Sequence, residues 1–389
     1  MLDPRTAEAV ELMTRFAQRT GLTGGGMPRR YLWTDAFAVC NLLGLARALG
    51  EQRHHELALQ LVDQVHRVLG RHRGDDGRTG WLSGLGPDQG EAHPTRGGLR
   101  IGKPLPEREP AAPLDERLEW ERDGQYFHYL TKWMHALDQV TRATGQPMFN
   151  AWARELAAAA HRAFTYPARS GARRMYWKVS IDLSRPLVAS MGHHDPLDGF
   201  ITCAQLDATA AQAQPAAGPS LAHELADFAA MIDPAGLATA DPLGLGGVLI
   251  DAWRIEQLMR QGAPAAGHGL LDALLAAALA GLQHYLGQAE LRSPAHRRLA
   301  FRELGLAIGL AAAALLADDL RRAPDLVRSA GAIEHLARYA PVRAEIESFW
   351  LLPAHRRAAT WIEHEDINDV MLATSLAPEG FLVLAPPAR

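Results

Sequence analysis

Helix starts rich in carboxylates recur along this chain, and they constrain its fold more than any other feature. Two of them share an Asp-Pro-Leu sequence, at Asp195 and Asp241, and each opens an apolar helical run. An aspartate before a proline favours a helix start, because the carboxylate caps backbone N–H groups and proline needs no donor in the first turn. We therefore interpret both aspartates as caps. Further acidic starts occur at Asp35, Asp123, Glu303 and Asp366.

Helical periodicity predicts two kinds of helix, which differ in how apolar they are all round. The helices that are apolar on most faces are predicted to be inner: Asp35–Leu49, Asp123–Thr144, Asp198–Ala211, Gly244–Arg260, Arg302–Ala317 and Asp366–Leu376. The amphipathic helices are predicted to be outer: Thr6–Arg19, His55–His72, Phe149–Phe164, Ser220–Met231, Gly269–Leu286 and Asp325–Tyr339. Inner and outer helices alternate along the chain, which indicates a repeat of helical hairpins.

The pattern predicts an all-α fold, an (α/α)6 toroid that forms a single domain over residues 1–389. The ring closes if the N-terminal helix pairs with the last inner helix. Sequential helices joined by modest loops pack as antiparallel hairpins, so every inner helix begins at the same end. The acidic starts are therefore expected to face one crevice.

Two segments interrupt the helical pattern. Residues 73–120 are rich in glycine and proline and predict a long lid-like loop. Within residues 170–192, the stretch Met175–Leu183 alternates apolar and polar side chains, which predicts a short β insertion. Both segments directly precede inner helices, so we expect them to lie over the inner-helix N-terminal end.

Charge and cysteine content limit the classes of partner. The formal net charge is −4, which gives no reason to expect nucleic acid or an anionic membrane. The most apolar stretch, Leu304–Ala317, is shorter than a membrane span and predicts a buried helix. Two cysteines in apolar surroundings, Cys40 and Cys203, indicate a reducing compartment, and the chain begins without a signal-like segment. Cytoplasmic residence is expected, and the oligomeric state stays open.

The helix pattern and the acidic inner-helix starts resemble the six-hairpin glycosidase-like superfamily. These (α/α)6 barrels include glycoside hydrolases, unsaturated glucuronyl hydrolases and the N-acylglucosamine 2-epimerase group. The resemblance covers nearly the whole chain and matches no catalytic motif residue by residue. It implies a substrate site at the N-terminal end of the inner helices.

Sugar sites combine aromatic platforms with carboxylates and bidentate donors. Aromatic residues beside the acidic starts, together with a basic, glycine-rich part of the lid, supply both. The predicted substrate-binding residues are Trp33, Trp81, His93, Arg96, Arg100, Trp120, Tyr126, His128, Trp177 and Trp361. The lid arginines either recognise an anionic group on the sugar or pair with nearby Asp115, Glu116 and Glu119. The expected partner is a small saccharide, neutral or anionic.

Two kinds of chemistry fit these residues. Glycoside hydrolysis needs a protonated carboxylic acid and a second carboxylate, and this is the leading hypothesis, a glycosidase-like enzyme. A sugar 2-epimerase or isomerase could instead use His194 and His364 as base and acid. A non-catalytic toroid that binds carbohydrate or protein is the third hypothesis. The candidate catalytic residues are Asp35, Asp123, His194, Asp198, Glu363 and His364. No cofactor and no metal are predicted, because no two histidines have the i, i+4 spacing of a helical zinc site.

Overall fold

The computed structural model describes residues 2–212, 218–263, 268–322 and 330–386. It divides into two compact units. Unit 1 comprises Met1–Arg19, Gly44–Glu51 and Asp233–Leu384, and unit 2 comprises Thr20–Leu43, Gln52–Ile232 and Ala385–Arg389. The single domain over residues 1–389 stays a prediction.

The chain is built mainly of α-helices. They are α1 (Pro4–Arg19), α2 (Leu32–Leu49), α3 (Gln52–Leu69), α4 (Pro87–Ala92), α5 (Glu116–Glu121), α6 (Phe127–Thr144), α7 (Pro147–Phe164), α8 (Asp195–Gln212), α9 (Ala222–Met231), α10 (Pro242–Arg260), α11 (His268–Gly287), α12 (Ala300–Arg322), α13 (Ala330–Ala337), α14 (Ala340–Leu351), α15 (Ala359–Ile362), α16 (Glu365–Leu376) and α17 (Glu379–Leu382). The short strands are β1 (Gln125–Tyr126), β2 (Thr165–Pro167), β3 (Arg173–Met175), β4 (Lys178–Val179) and β5 (Pro186–Val188).

Helical hairpins form the framework of both units. In unit 2, α6 packs against α7 and α8, and α8 packs against α9. In unit 1, α10 packs against α11 and α12, and α12 packs against α14 and α16. Helix α1 packs on α16, as expected if the first helix pairs with the last inner one. The predicted all-α fold class is confirmed, and these pairings follow the hairpin order of the (α/α)6 class.

Local sequence explains where the helices begin and end. The Asp241 carboxylate caps α10 and accepts a hydrogen bond from the Gly244 N–H at 2.8 Å. Helix α6 ends at Gly145, whose φ of 71° needs the left-handed region that glycine adopts easily. Helix α14 is absent from the sequence-based expectations; Pro341 lies in its first turn, where a missing N–H does no harm. The predicted helix over 325–339 lies partly outside the described residues.

The β insertion differs from the predicted single strand. Strands β2 and β3 form one antiparallel pair, while β1, β4 and β5 form a second sheet in the order β1-β4-β5. Lys178, which alternation assigns to the polar side, is fully buried in β4. Its ammonium donates to Glu119 Oε1 at 2.9 Å and to the carbonyl oxygens of Glu119 and Arg122. Those acceptors replace water, so burial of the lysine is tolerated.

Within the residues that the structure describes, three helical stretches are long and apolar enough to cross a membrane: Leu32–Leu49, Gly269–Gly287 and Ala300–Asp319. In the first and the last, 72% and 78% of the residues are buried inside the protein. This is the burial expected of core helices. A core helix, like a membrane span, can be apolar on all faces because no face contacts water. Cys40 and Cys203 are also buried, and neither forms a disulfide.

Three glycines allow α10 and α12 to cross closely in unit 1. A Cβ on Gly246 would lie 2.1 Å from the carbonyl oxygen of Gly305, and a Cβ on Gly309 would lie 2.6 Å from the Gly246 Cα. No side chain fits at such distances, so the backbones themselves are in contact. The neighbouring Gly247 has open space where a Cβ would lie.

We expect Gly246→Ala to lower the free energy of unfolding by about 2–3 kcal/mol, because the added methyl group forces α10 and α12 apart. The matched control Gly247→Ala should raise it by about 0.5–1 kcal/mol, since alanine restricts the unfolded chain and meets no atom here. Urea unfolding followed by circular dichroism measures both. Equal effects of the two substitutions would contradict a close helix crossing.

Candidate functional site

The carboxylate of Asp123 anchors the segment that leads into α6. Its Oδ2 accepts from Arg100 Nη1 at 2.6 Å and from Arg73 Nη1 at 3.2 Å. Its Oδ1 accepts from the backbone N–H groups of Gly102 and Gly124, each at 3.0 Å. The aspartate is completely buried. Charged hydrogen bonds on both oxygens fix the loop before α6 and with it the first turn of the helix.

An aromatic cluster follows directly, formed by Trp120, Tyr126, His128 and Trp177. The rings of His128 and Tyr126 stack with centroids 5.4 Å apart, and the His128 and Trp177 rings are nearly parallel at 6.1 Å. Trp120 meets Trp177 edge to face at 4.5 Å and is 49% exposed. His128 and Trp177 are partly exposed, and Tyr126 is buried beneath them at 3%. Flat, partly exposed rings beside polar groups are the surfaces on which the apolar faces of sugars pack.

Lys178 fixes β4, the strand that directly follows Trp177 of this cluster. Through its ammonium group, β4 is tied to the α5 backbone, as described above. The ammonium also lies 5.5 Å from the centre of the Tyr126 ring. Burial lowers the pKa of Lys178, while its hydrogen bond to Glu119 opposes that effect. All of these contacts are with the protein itself, so we assign Lys178 to positioning the cluster.

The start of α8 adds two carboxylates beside α6. Asp198 Oδ2 accepts from Thr131 Oγ1 at 2.7 Å, and Lys132 Nζ lies 2.7–2.8 Å from both carboxylate oxygens. His128 is partly exposed, and desolvation lowers the pKa of its imidazole to about 4, with Asp198 and Lys132 acting in opposite directions. His128 is therefore neutral near pH 7 and can accept or donate one hydrogen bond.

Asp195 is a buried carboxylate at the first residue of α8. It is 4% exposed, and its Oδ2 accepts no hydrogen bond from any residue that the structure describes. The carboxylate lies against Gly192, where a Cβ would approach Oδ2 to 2.2 Å. Burial, followed by the charge of Asp198, raises the pKa of Asp195 to about 7, and the Gly192 backbone and Lys132 oppose this shift. A carboxyl group that titrates near neutrality suits proton transfer.

We name Tyr126, His128, Lys132, Asp195 and Asp198 the α6–α8 site. It lies within unit 2 and combines a near-neutral carboxyl group, a cation, a neutral imidazole and an aromatic surface. His194 precedes Asp195, and its ring lies edge to face with that of His193 at 4.5 Å. Such a set can move a proton and stabilise a developing negative charge.

Two predicted site residues, Trp33 and Asp35, lie in the part of α2 that belongs to unit 2. Asp35 is buried; its Oδ2 accepts from the Tyr31 N–H at 2.9 Å, and Arg30 Nη1 lies 3.4 Å from its Oδ1. Trp33 is 6% exposed and packs against Tyr129. The Tyr31 and Tyr129 hydroxyl groups are 2.6 Å apart, and burial raises the pKa of Tyr31 to about 12. These contacts are those of a packed support, and a catalytic role of Asp35 stays a prediction.

The basic part of the lid is paired inside the protein. His93 Nδ1 lies 2.7 Å from Glu155 Oε1, and Arg96 Nη2 donates to the same oxygen at 2.9 Å. Arg100 is buried on Asp123. These partners differ from the three acidic residues that the sequence suggests. The contacts favour pairing over anion binding for all three lid residues.

Trp81 also lies apart from the aromatic cluster. Its ring packs under Arg71 at 4.5 Å and lines a cavity of about 250 Å³ together with His66 and Trp152. Burial lowers the pKa of His66 to about 3, so its imidazole is neutral, and it accepts from Trp133 Nε1 at 3.2 Å. A substrate contact of Trp81 stays a prediction.

Three predicted residues, Trp361, Glu363 and His364, belong to unit 1. Trp361 is buried against Trp350, with ring centroids 5.5 Å apart. His364 directly precedes α16 and meets the Phe301 ring edge to face at 5.5 Å, and Glu363 is exposed. His194 lies in unit 2 and His364 in unit 1, so the histidine pair stays a prediction.

Sequence reasoning missed Asp195 and Lys132 as site residues. The proline that follows each aspartate predicts that both are helix caps. Asp241 does cap α10, whereas Asp195 Oδ2 accepts no hydrogen bond from a described residue. The signal that could have found Asp195 is the second aspartate three residues later, one helical turn away. Two carboxylates on one helix face repel, and one of them then holds its proton.

No family model and no curated protein matches this sequence. Among solved structures, the chain is similar to a cellobiose 2-epimerase from Bacillus thermoamylovorans B4167, with 8% sequence identity and a TM-score of 0.48. The similarity covers 88% of this chain and 87% of that one. A likeness of this size carries no argument about the reaction, which has to come from the side chains.

We expect Asp123→Asn to lower the free energy of unfolding by about 3 kcal/mol or more, because it leaves the buried Arg100 guanidinium without its counter-charge. The control Asp75→Asn removes an exposed partner of Arg73 and should change stability by less than about 1 kcal/mol. Urea unfolding at pH 7.5 measures both. A folded Asp123→Asn protein as stable as the control variant would refute the anchoring role.

Asp195 should leave a signature in the pH dependence of stability. Its pKa rises from an ordinary 3.8 to about 7 on folding, so the folded protein binds this proton more tightly. The contribution is therefore complete below about pH 4 and is lost as the pH rises to 7, with a slope of up to about 1.4 kcal/mol per pH unit. Asp195→Asn, which cannot ionise, should remove that part of the slope.

Urea unfolding at pH 4.5, 6 and 7.5 (values chosen to span about the titration range) measures this effect. Asp241→Asn is the matched control, because it alters the other Asp-Pro start and should keep the wild-type slope. Identical slopes in the wild-type and Asp195→Asn proteins would show that Asp195 does not titrate in this range.

Proposed function

We propose that this chain is a saccharide epimerase or isomerase that moves a proton at the carbon next to a sugar carbonyl group. The observation that carries the proposal is Asp195, a buried carboxyl group with an unpartnered oxygen and a pKa of about 7. General acid–base groups work best when their pKa lies near the working pH. At neutral pH this side chain is populated in both protonation states.

The reaction starts from the open-chain aldose. The ionised Asp195 carboxylate takes the proton from C2, the C–H electron pair forms a C1–C2 double bond, and the carbonyl oxygen receives the displaced electron pair. Return of a proton to C2 from the opposite face gives the epimer, whereas return to C1, together with transfer of the O2 hydroxyl proton to O1, gives the ketose. The substrate loses and regains one proton, so no oxidant, reductant or cofactor is consumed.

Neighbouring groups have defined roles in this proposal. His194, whose imidazole normally titrates near neutrality, returns the proton. Lys132 supplies positive charge for the enediolate oxygen, since its ammonium lies beside Asp198 at the same helix starts. His128, held neutral by desolvation, offers a hydrogen bond to a hydroxyl group. The aromatic cluster supports a saccharide as the substrate, because its rings offer a flat apolar face.

The contacts of the other carboxylates favour this proposal over glycoside hydrolysis. Asp123 binds Arg100 and Arg73, and Asp198 binds Lys132. A cation beside a carboxylate favours its ionised form, whereas hydrolysis needs one carboxyl group that stays protonated together with a second, free one. Asp195 has the first property, because burial and the charge of Asp198 favour its protonated form. The buried thiols Cys40 and Cys203 suit a reducing compartment, and we propose cytoplasmic residence on that ground.

Proton NMR in D2O tests the proposal. With an accepted aldose or aldose-ended disaccharide, we expect an epimer that carries deuterium at C2, or a ketose that carries it at C1, to accumulate. Asp195→Asn should reduce kcat by about 10²–10⁴-fold, because the amide cannot carry the proton. Asp241→Asn should retain wild-type activity, since that aspartate caps α10 in unit 1.

Substrates are first identified by thermal shift against neutral sugars, uronates and sugar phosphates, since a bound ligand raises the melting temperature. Cleavage of a glycosidic bond without deuterium entering at C1 or C2 would overturn the proposal in favour of hydrolysis. Binding without either reaction in the wild-type protein would leave the site as a carbohydrate-binding one.

A further inference from the structure

We propose that unit 2 carries a zinc-binding site formed by His161, His223 and Asp227. Their ligand atoms, one from each side chain, all lie within 4.8 Å of one another. His161 Nε2 lies 2.9 Å from Asp227 Oδ2, and His223 Nε2 lies 3.6 Å from the same oxygen. In a tetrahedral site with bonds of about 2.0–2.1 Å, ligand atoms are roughly 3.4 Å apart. The three groups are therefore close to zinc-binding geometry already.

Local structure explains the convergence. His223 and Asp227 are four residues apart on α9, so they lie on the same helix face. His161 is in the last turn of α7, which packs against α9. The His161 ring contacts the buried Phe228 ring at 5.3 Å, which fixes its orientation between the two helices. The set therefore belongs to two rigid elements.

The donor set favours Zn²⁺ among common cations. Two imidazole nitrogens and one carboxylate oxygen match the ligands of zinc sites, whereas Ca²⁺ and Mg²⁺ prefer oxygen alone. The His223 side chain is 68% exposed and that of Asp227 is 17% exposed, so the group lies open to solvent on one side. A water molecule can complete the tetrahedron there, as in sites with three protein ligands.

Arg173 competes with the metal for the carboxylate. Its Nη2 lies 3.1 Å from Asp227 Oδ2, and its side chain is 37% exposed at β3. Without metal, this guanidinium and the His161 N–H neutralise Asp227. Zinc would replace the His161 proton on Nε2, and Arg173 could turn toward solvent because it lies at the edge of a short hairpin. Removing Arg173 should therefore strengthen zinc binding.

Isothermal titration of the full-length protein with ZnCl₂, after dialysis against a chelator, tests the site. We expect one Zn²⁺ per chain and a higher melting temperature on binding. His223→Ala and Asp227→Asn should each weaken zinc binding by about tenfold or more. Removing a residue that only hydrogen-bonds to a metal ligand already weakens binding about tenfold, so removing the ligand itself should cost at least as much. Arg173→Ala should strengthen it. Co²⁺ in place of Zn²⁺ should give the visible absorption of a tetrahedral site.

His284→Ala is the matched control, since it removes an exposed histidine from a helix of unit 1 and should leave zinc binding unchanged. Both ligand variants alter side chains with exposed surface, and circular dichroism verifies their folding. Saturable binding that is equal in wild-type, His223→Ala and Asp227→Asn proteins, or no saturable binding in the wild-type protein, would overturn the proposal. Asp195→Asn should keep its zinc, so this test is independent of the proposed reaction.

Discussion

The α6–α8 site depends on one buried carboxylate that takes no part in the proposed chemistry. Asp123 receives two arginines and backbone N–H groups on either side of the α6 entry, and this gathers residues far apart in the loop around one negative charge. Tyr126 and His128 follow within five residues. The anchored segment therefore helps to position both rings. A charged anchor is directional, which hydrophobic burial alone is not.

Burial has a different consequence at Asp195, whose charge no arginine that the structure describes neutralises as Arg100 and Arg73 do at Asp123. Its neighbours at the start of α8 leave one oxygen without a donor and place Asp198 one helical turn away. The positive end of the helix dipole favours the ionised form there, yet desolvation and the second carboxylate outweigh it. The protein would be more stable with a neutral amide at this position near neutral pH. Retaining a destabilising group is characteristic of functional sites, where activity and stability make opposing demands.

The helices were predictable because their signals are local. Apolar periodicity and capping residues act within a few turns, so the hairpin partners followed from chain order. The side-chain environments were not predictable in the same way. The alternation of side chains predicts that Lys178 is exposed on a strand. Its burial is explained by acceptors at Glu119 and Arg122, more than fifty residues away in the sequence. His161 likewise meets Asp227 through the packing of α7 on α9, which no spacing in the sequence records.

The two Asp-Pro-Leu helix starts also show that the environment of a side chain depends on more than its local sequence. Asp241 caps α10 and also contacts Arg302, so both of its oxygens are engaged. Asp195 has the same following residues, but Lys132, the nearest cation on α6, is already held by Asp198. Because Lys132 pairs with Asp198, burial and the charge of Asp198 outweigh its effect on Asp195 and raise the pKa of that carboxyl group to about 7. The shared Asp-Pro-Leu sequence thus yields a structural cap in unit 1 and a titratable group in unit 2, and the difference arises from the next residue, Gly244 or Asp198, and from the cations nearby.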